Sequence, residues 1–280
     1  MYDKPSRSTI ARYADELYPT CLETETLVGG KTGEEAESWA RTDAVRHAHT
    51  LHMLLSIPRA HMQVLNASGL YHGHQDLSLA EALRARKRPF HWVAQESADS
   101  RFLENAYLRE QLERLAIEVE LVDYRTPLTA RNRVVDFVLF TEIAEHLDHT
   151  ALLNALSVQR QNLADDGFLL VTTPNLVSLP NRVRLAMGKG DQAFFGDGVA
   201  NKDAGLYGHI AAFDTARLQR LLADSGLRTT LAYTFDWGRA WKSGPLARVV
   251  GALSERVPSA GQNIFLLATA GQEVRIPFET

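Results

Sequence analysis

The rhythm of apolar positions changes at Pro58. Before it, Ala36, Trp39, Ala40, Val45, Ala48, Leu51, Leu54 and Leu55 recur at helical spacing and predict a helix over 34–57. Thr32-Gly-Glu-Glu35 has the spacing of a capping box at its start, in which a threonine hydroxyl and a glutamate carboxylate satisfy orphan amides reciprocally. A shorter helix is expected over 8–18, stopping at Pro19, with Gly29-Gly30 separating the two. After Pro58 come apolar runs of strand length at 62–67, 90–94, 117–122, 134–140 and 168–172, with helix-length segments at 78–86, 100–115 and 150–163 between them. Several runs are apolar at successive positions (VVDFVLF, GFLLVTT), as strands covered on both faces require. A helix opening at Phe213-Asp214-Thr215 and stopped by Gly226, then runs at 229–235 and 263–269, complete the pattern.

Seven strand-like runs alternating with helices predict an α/β fold: a doubly wound, mostly parallel seven-stranded sheet of Rossmann-like type. The expected organisation is an N-terminal helical cap over 1–58 and an α/β domain over 59–280. Six glycines between 188 and 208 predict a lid there. A second capping box, Ser78 to Glu81, places the start of the next helix at Ser78 and leaves a long loop from Gly69 to Leu77. In such sheets ligands sit beyond the carboxyl ends of the strands, so the residues ending each run carry the functional information.

Composition narrows the class. Of 280 residues, 45% are hydrophobic and 23% charged, which suits a soluble globular protein. A net charge of -4 gives nucleic acid no non-specific attraction. The single cysteine, Cys21, excludes an internal disulfide and fits a reducing cytoplasm. The first residues lack the apolar core of a signal peptide, and no apolar run reaches the ~18 residues that span a membrane. The expectation is a cytoplasmic protein without a membrane partner.

The run ends carry the chemistry. The first ends Asn66-Ala-Ser68-Gly69-Leu70-Tyr-His-Gly73, where glycines let backbone approach a ligand closely. The second ends at Glu96, a carboxylate able to accept both hydroxyls of a ribose or to cap the next helix. The third ends at Asp123-Tyr124; Asp123 can accept the exocyclic amine of adenine or face solvent in a turn. The most specific block follows the fourth run: Asp136-Phe-Val-Leu-Phe140-Thr141-Glu142-Ile-Ala-Glu145-His146-Leu147, and one helix later Gly167 leads through the fifth run to Thr173-Pro174-Asn175.

These two blocks, with Gly208-His209-Ile-x-x-Phe213 and Gly226-Leu227 after them, resemble class I S-adenosylmethionine-dependent methyltransferases. The resemblance is to the broad small-molecule group (methyltransferase type 11-like), which includes the ubiquinone-pathway O-methyltransferases. It covers about residues 60–270 and implies S-adenosylmethionine as cofactor, with Ser68, Gly69 and Gly73 lining its methionine portion. Glu96 would take the ribose and Asp123 the adenine amine. Phe140, Thr141 and Glu142 would face the sulfonium and the incoming substrate. His146 and His209 are the candidate bases, because imidazole titrates near neutral pH. The implied reaction is O- or N-methylation of a small molecule, a sugar or natural-product intermediate, with a second copy of the chain as the protein partner to consider.

The first motif departs from the family pattern. Where the family carries an acid followed by G-x-G-x-G, this chain has Asn66, Ser68, Gly69 and Gly73. That departure keeps two alternatives open: a catalytically degenerate binding protein of the same fold, and an enzyme using S-adenosylmethionine other than for methyl transfer. A nicotinamide-dependent dehydrogenase needs a G-x-G-x-x-G turn running into a helix, which is missing. His47, His49 and His52, with His61, His72 and His74 nearby, show no metal-ligand spacing, and no metal is expected; solvated or substrate-facing histidines fit better. Arg84, Arg86 and Arg88 fit a helix C-terminus, and Arg182 and Arg184 fit solvent better than an anionic substrate. Phe194-Phe195 and Trp237 with Trp241 would serve core or lid packing.

Overall fold

The computed structural model describes residues 3–70, 73–97, 100–124, 133–189, 209–236, 257 and 259–270. Helices α1 (Arg7–Leu27) and α2 (Gly33–Ser56) come first. There follow β1 (Met62–Asn66), α3 (His74–Ala85), β2 (Phe90–Glu96), α4 (Ala106–Arg114), β3 (Ile117–Leu121) and β4 (Val135–Thr141). Then come α5 (His149–Asn162), β5 (Leu163–Pro174), α6 (Leu179–Ala186), α7 (Thr215–Asp224), β6 (Leu227–Phe235) and β7 (Asn263–Ala270).

All seven strands form one sheet in the order β3-β2-β1-β4-β5-β7-β6. Strands β1 to β5 are parallel, and β7 runs antiparallel to both β5 and β6. Strand order reverses between β1 and β4, so the ligand crevice of such a sheet lies beyond their carboxyl ends. The mostly parallel, doubly wound expectation holds.

Alternation along each strand builds two cores. Val64, Phe137, Leu139, Leu170, Phe265 and Leu267 face a core shared with α1 to α4, while Leu65, Val138, Phe140, Val171, Ile264 and Leu266 face α5 and α7. Strands covered on both faces explain why VVDFVLF and GFLLVTT are continuous apolar runs. The N-terminal helices share the first core through Leu17, Cys21, Ala40, Ala44, Ala48, Leu51 and Leu54.

Several local expectations are corrected. Helix α1 does not stop at Pro19 but continues to Leu27. Burial of Leu17, Cys21, Thr24 and Glu25 along one face outweighs the hydrogen bond that proline removes. Thr32 precedes α2 without a side-chain capping bond, and α3 starts at His74, so Ser78 is an interior residue and the loop after β1 is shorter than expected. Segment 100–115 divides into a 3₁₀ turn (Arg101–Glu104) and α4, with Asn105 capping the latter through Leu108 N. Arg84 donates to Arg114 O, Arg86 pairs with Glu16, and Arg88 donates to Ile57 O, so these cations hold helices in place. Arg182 likewise donates to Val177 O, and Arg184 to Asn181.

Residues 190–208, most of the expected lid, lie outside the described residues, as do His72, Phe194, Phe195, Trp237 and Trp241. Among the described residues, no helix is long and apolar enough to cross a membrane.

Candidate functional site

At the end of β1 the chain turns through Ser68-Gly69-Leu70 against the tip of β2. Gly69 adopts φ +83, and a Cβ there would lie 3.9 Å from both Glu96 carboxylate oxygens. Leu70 N donates to Glu96 Oε2 and Ser97 N to Oε1, each at 2.7 Å. Those two amides fix the carboxylate against the turn. Val122 N donates to Glu96 O at 2.8 Å, so the tips of β2 and β3 lie side by side and Asp123 follows immediately. Tyr124 donates its hydroxyl to Gln95 Oε1 and stands edge-on to Phe140, with ring centroids 6.4 Å apart.

Asn66, at the strand end where the family carries an acid, is fully buried. Its amide nitrogen donates to both oxygens of Asp76, each at 2.9 Å, and Trp92 Nε1 donates to Asp76 Oδ1 at 2.7 Å. The carboxyl missing from β1 is thus supplied from the first turn of α3. Burial pushes Asp76 up to about 7, against the pull of the Asn66 and Trp92 hydrogen bonds. Gln75 joins this layer to β4, accepting from the Thr141 hydroxyl at 2.7 Å. Ser68 Oγ accepts from Thr141 N at 2.7 Å and reaches Leu139 O at 3.1 Å. The β1 loop and the β4 tip are therefore one hydrogen-bonded unit.

Glu142 follows β4 in the left-handed region, φ 53, which costs a non-glycine residue roughly 1–2 kcal/mol. Its surroundings hold it there. The backbone N donates to Thr172 O at 2.9 Å, and the carboxylate accepts from the Thr172 hydroxyl at 2.7 Å and Asn263 Nδ2 at 2.9 Å. Arg46 of α2, only 13% exposed, reaches Glu142 at 3.3 Å while also pairing with Asp43. An N-terminal helix therefore contributes a cation to the tip of β4.

Glu145 lies next to this pair, buried, accepting from the Thr173 hydroxyl at 2.8 Å. Burial, then the charge of Glu142, pushes its carboxyl well above the ordinary range. Backbone amides of Ile210 and Ala211 donate to Glu145 O, which brings His209 beside His146, with ring centroids 5.0 Å apart. Burial and then the neighbouring His146 lower His209 below the usual imidazole range, favouring its neutral, proton-accepting form. Ligand atoms of Glu145, His146 and His209 lie within 4.8 Å of one another, and so do those of Glu25, Asp43 and His74.

No family model matches the sequence, and no curated protein is significantly similar to it. Solved structures are similar in fold. One is a complex between a methyltransferase activator and a candidate methyltransferase of Haloferax volcanii, with TM-score 0.56 at 13% identity over 93% of this chain and 98% of that one. Another is an S-adenosylmethionine-dependent methyltransferase from Mesorhizobium loti, with TM-score 0.51 at 12% identity over 81% and 99%. A third, from Clostridium acetobutylicum, has TM-score 0.51 at 11% identity over 89% and 97%. The chain has the class I S-adenosylmethionine-dependent methyltransferase fold.

Within that methyltransferase fold, Ser68, Gly69, Glu96 and Thr141 converge at the tips of β1, β2 and β4, with Asp123 beside them. Gly73, at φ +79, caps the start of α3. Phe140 is fully buried on the α5 face, whereas Glu142, His146 and His209 gather one turn beyond β4. Sequence reasoning missed Arg46, Asp76 and the acidic surroundings of the N-terminal histidines. His47 and His49 are buried, not solvated: His47 Nε2 lies 2.8 Å from His74 Nδ1, and His49 Nδ1 2.9 Å from the Tyr233 hydroxyl. A signal existed, because Asp43 and His47 fall on the same stripe of α2 as Ala36, Ala40 and Leu54.

Proposed function

We propose that this chain is a methyltransferase that binds S-adenosylmethionine across the tips of β1 to β4 and methylates a small molecule. The observation that carries this reading is the Glu96 carboxylate, fixed by two backbone amides against the Gly69-Leu70 turn and adjacent to the β3 tip that bears Asp123. That arrangement fits a nucleoside: Glu96 accepts the ribose hydroxyls, Asp123 the adenine amine, and the Ser68-Gly69 turn with Gly73 borders the amino-acid end. The cofactor supplies an electrophilic methyl group on a positively charged sulphur.

The chain's own residues orient the acceptor and manage its proton. Alignment of nucleophile and methyl is worth roughly 7–11 kcal/mol in favourable cases. Glu142, with Arg46 opposite, edges the acceptor side of the pocket, and Phe140 and Thr141 fix the end of β4 behind it. His209 in its neutral form takes the proton of an oxygen or nitrogen nucleophile, and His146 beside it shares that proton. Residues 1–58 act as a cap on a catalytic domain of residues 59–280, and 188–208 as its lid. The acceptor is a sugar or natural-product intermediate, and the enzyme works in the cytoplasm, as a homodimer.

The test is thermal denaturation with S-adenosylhomocysteine and, separately, with NAD. At 100 times its dissociation constant a ligand adds about 2.7 kcal/mol. For a domain of this size that raises Tm by about 5–11 °C. S-adenosylhomocysteine should produce this shift and NAD none. A second reading, a degenerate binding protein, is favoured by Asn66 standing in place of the acid; absence of a shift with both ligands would support it and overturn the methyltransferase.

A further inference from the structure

A second polar cluster is buried where α1, α2 and the first turn of α3 meet. The side chains of Glu25 and Asp43 are fully buried, and that of His74 is 4% exposed. One oxygen of each carboxylate is held by a cation from outside the cluster, Lys31 on Glu25 Oε2 and Arg46 on Asp43 Oδ1. The other two oxygens face a single imidazole nitrogen. His74 Nε2 lies 3.6 Å from Asp43 Oδ2 and 3.8 Å from Glu25 Oε1. Both separations exceed hydrogen-bond reach. Asp43 Oδ2 accepts no hydrogen bond from any described residue, although it lies deep in the protein. On the other side of the ring, His74 Nδ1 is 2.8 Å from His47 Nε2, so a buried partner fixes the orientation of the imidazole. Metal-binding histidines are held in this way, with one nitrogen on the ion and the other on an outer partner.

We propose that Glu25 Oε1, Asp43 Oδ2 and His74 Nε2 bind a divalent transition-metal ion, zinc by preference, with His47 orienting His74. A tetrahedral zinc with bonds of about 2.0–2.1 Å has ligand-to-ligand edges of about 3.4 Å. The two edges to His74 exceed this by a few tenths of an ångström, a contraction small enough for side-chain adjustment. Two carboxylate oxygens and one imidazole nitrogen form a donor set that zinc accepts. The ion would tie α1 and α2 to the residue that follows Gly73, stiffening the loop between β1 and α3. This assignment does not depend on methyl transfer.

The experiment uses the full chain purified without chelator, its zinc content measured by mass spectrometry and its Tm followed on adding zinc after dialysis against EDTA. Expected are about one zinc per chain, a rise in Tm on re-addition, and loss of both in Asp43→Asn and His74→Gln. His47→Phe, an outer-partner change, should weaken zinc binding by about 10–100-fold. His209→Gln serves as the control, because Glu145, His146 and His209 form the other group with close ligand atoms; it should keep its zinc. Circular dichroism establishes that each variant is folded, and cobalt substitution gives a visible spectrum that reads the site directly. Folded wild-type protein that takes up no zinc or cobalt would overturn the proposal and make His74 an imidazolium between two carboxylates. So would zinc that survives in His74→Gln but leaves in His209→Gln.

Discussion

Replacing Glu96 with glutamine probes the proposed pocket at its most constrained point. Glu96 is 6% exposed, and each of its oxygens already accepts one backbone amide at 2.7 Å. A carboxylate offers about four lone-pair sites, and in the proposed complex it also accepts from the ribose hydroxyls. Glu96→Gln preserves shape but turns one oxygen into an NH2 group that meets an amide donor with another donor. The variant therefore loses one charge-assisted bond within the protein and one to the ribose, each worth about 1.5–3 kcal/mol. Urea denaturation should show stability lower by about that amount. Isothermal titration with S-adenosylhomocysteine, performed well below the variant's Tm, should show affinity lower by roughly 10–150-fold. A folded variant with an unchanged dissociation constant would refute the reasoning and reduce Glu96 to a brace for the β1 loop.

Two further predictions concern stability. Burial, and then the charge of Lys4, lowers His49 to about 3, so its folded pKa lies below the unfolded value and the protein favours the neutral ring. The stability tied to that neutrality is intact above about pH 6.5 and drains away as pH falls toward 3, by roughly 2–3 kcal/mol between pH 7 and 4.5. The stability advantage of wild type over His49→Gln should shrink by that amount in urea titrations across this range, and parallel curves would contradict it. Phe265 is fully buried on β7 and stacks on Tyr233 with ring centroids 4.7 Å apart. Phe265→Ala should cost about 3–5 kcal/mol, read from the urea midpoint; a change well under 1 kcal/mol would mean that the sheet closes around the cavity.

The residues that end each strand were legible because a parallel sheet covered on both faces leaves continuous apolar runs. Where a run stops the strand ends, and so Glu96, Asp123 and Glu142 could be placed at or just past the carboxyl ends of β2, β3 and β4 before any contact was known. The breakdown of G-x-G-x-G at Asn66 was equally legible, but its consequence was not. Asp76 supplies a carboxyl to that spot from another element, and the shift of the α3 start from Ser78 to His74 is what brings it there. The capping-box spacing at Ser78 misled because it describes what a short segment prefers alone, whereas burial against neighbours started α3 at His74; Thr32 does stand at the N-cap of α2, though without a side-chain bond. Pro19 misled in the same way.

By itself the sequence determined which faces are apolar and where each strand ends, since both are recorded in the period of its own residues. Only the tertiary structure decided that Arg46 reaches Glu142, that Asp43 and Glu25 face His74, and that His209 meets His146. Those partners come from elements far apart in the chain. Periodicity says that a side chain is turned inward; only the docking of one element on another says what it meets there.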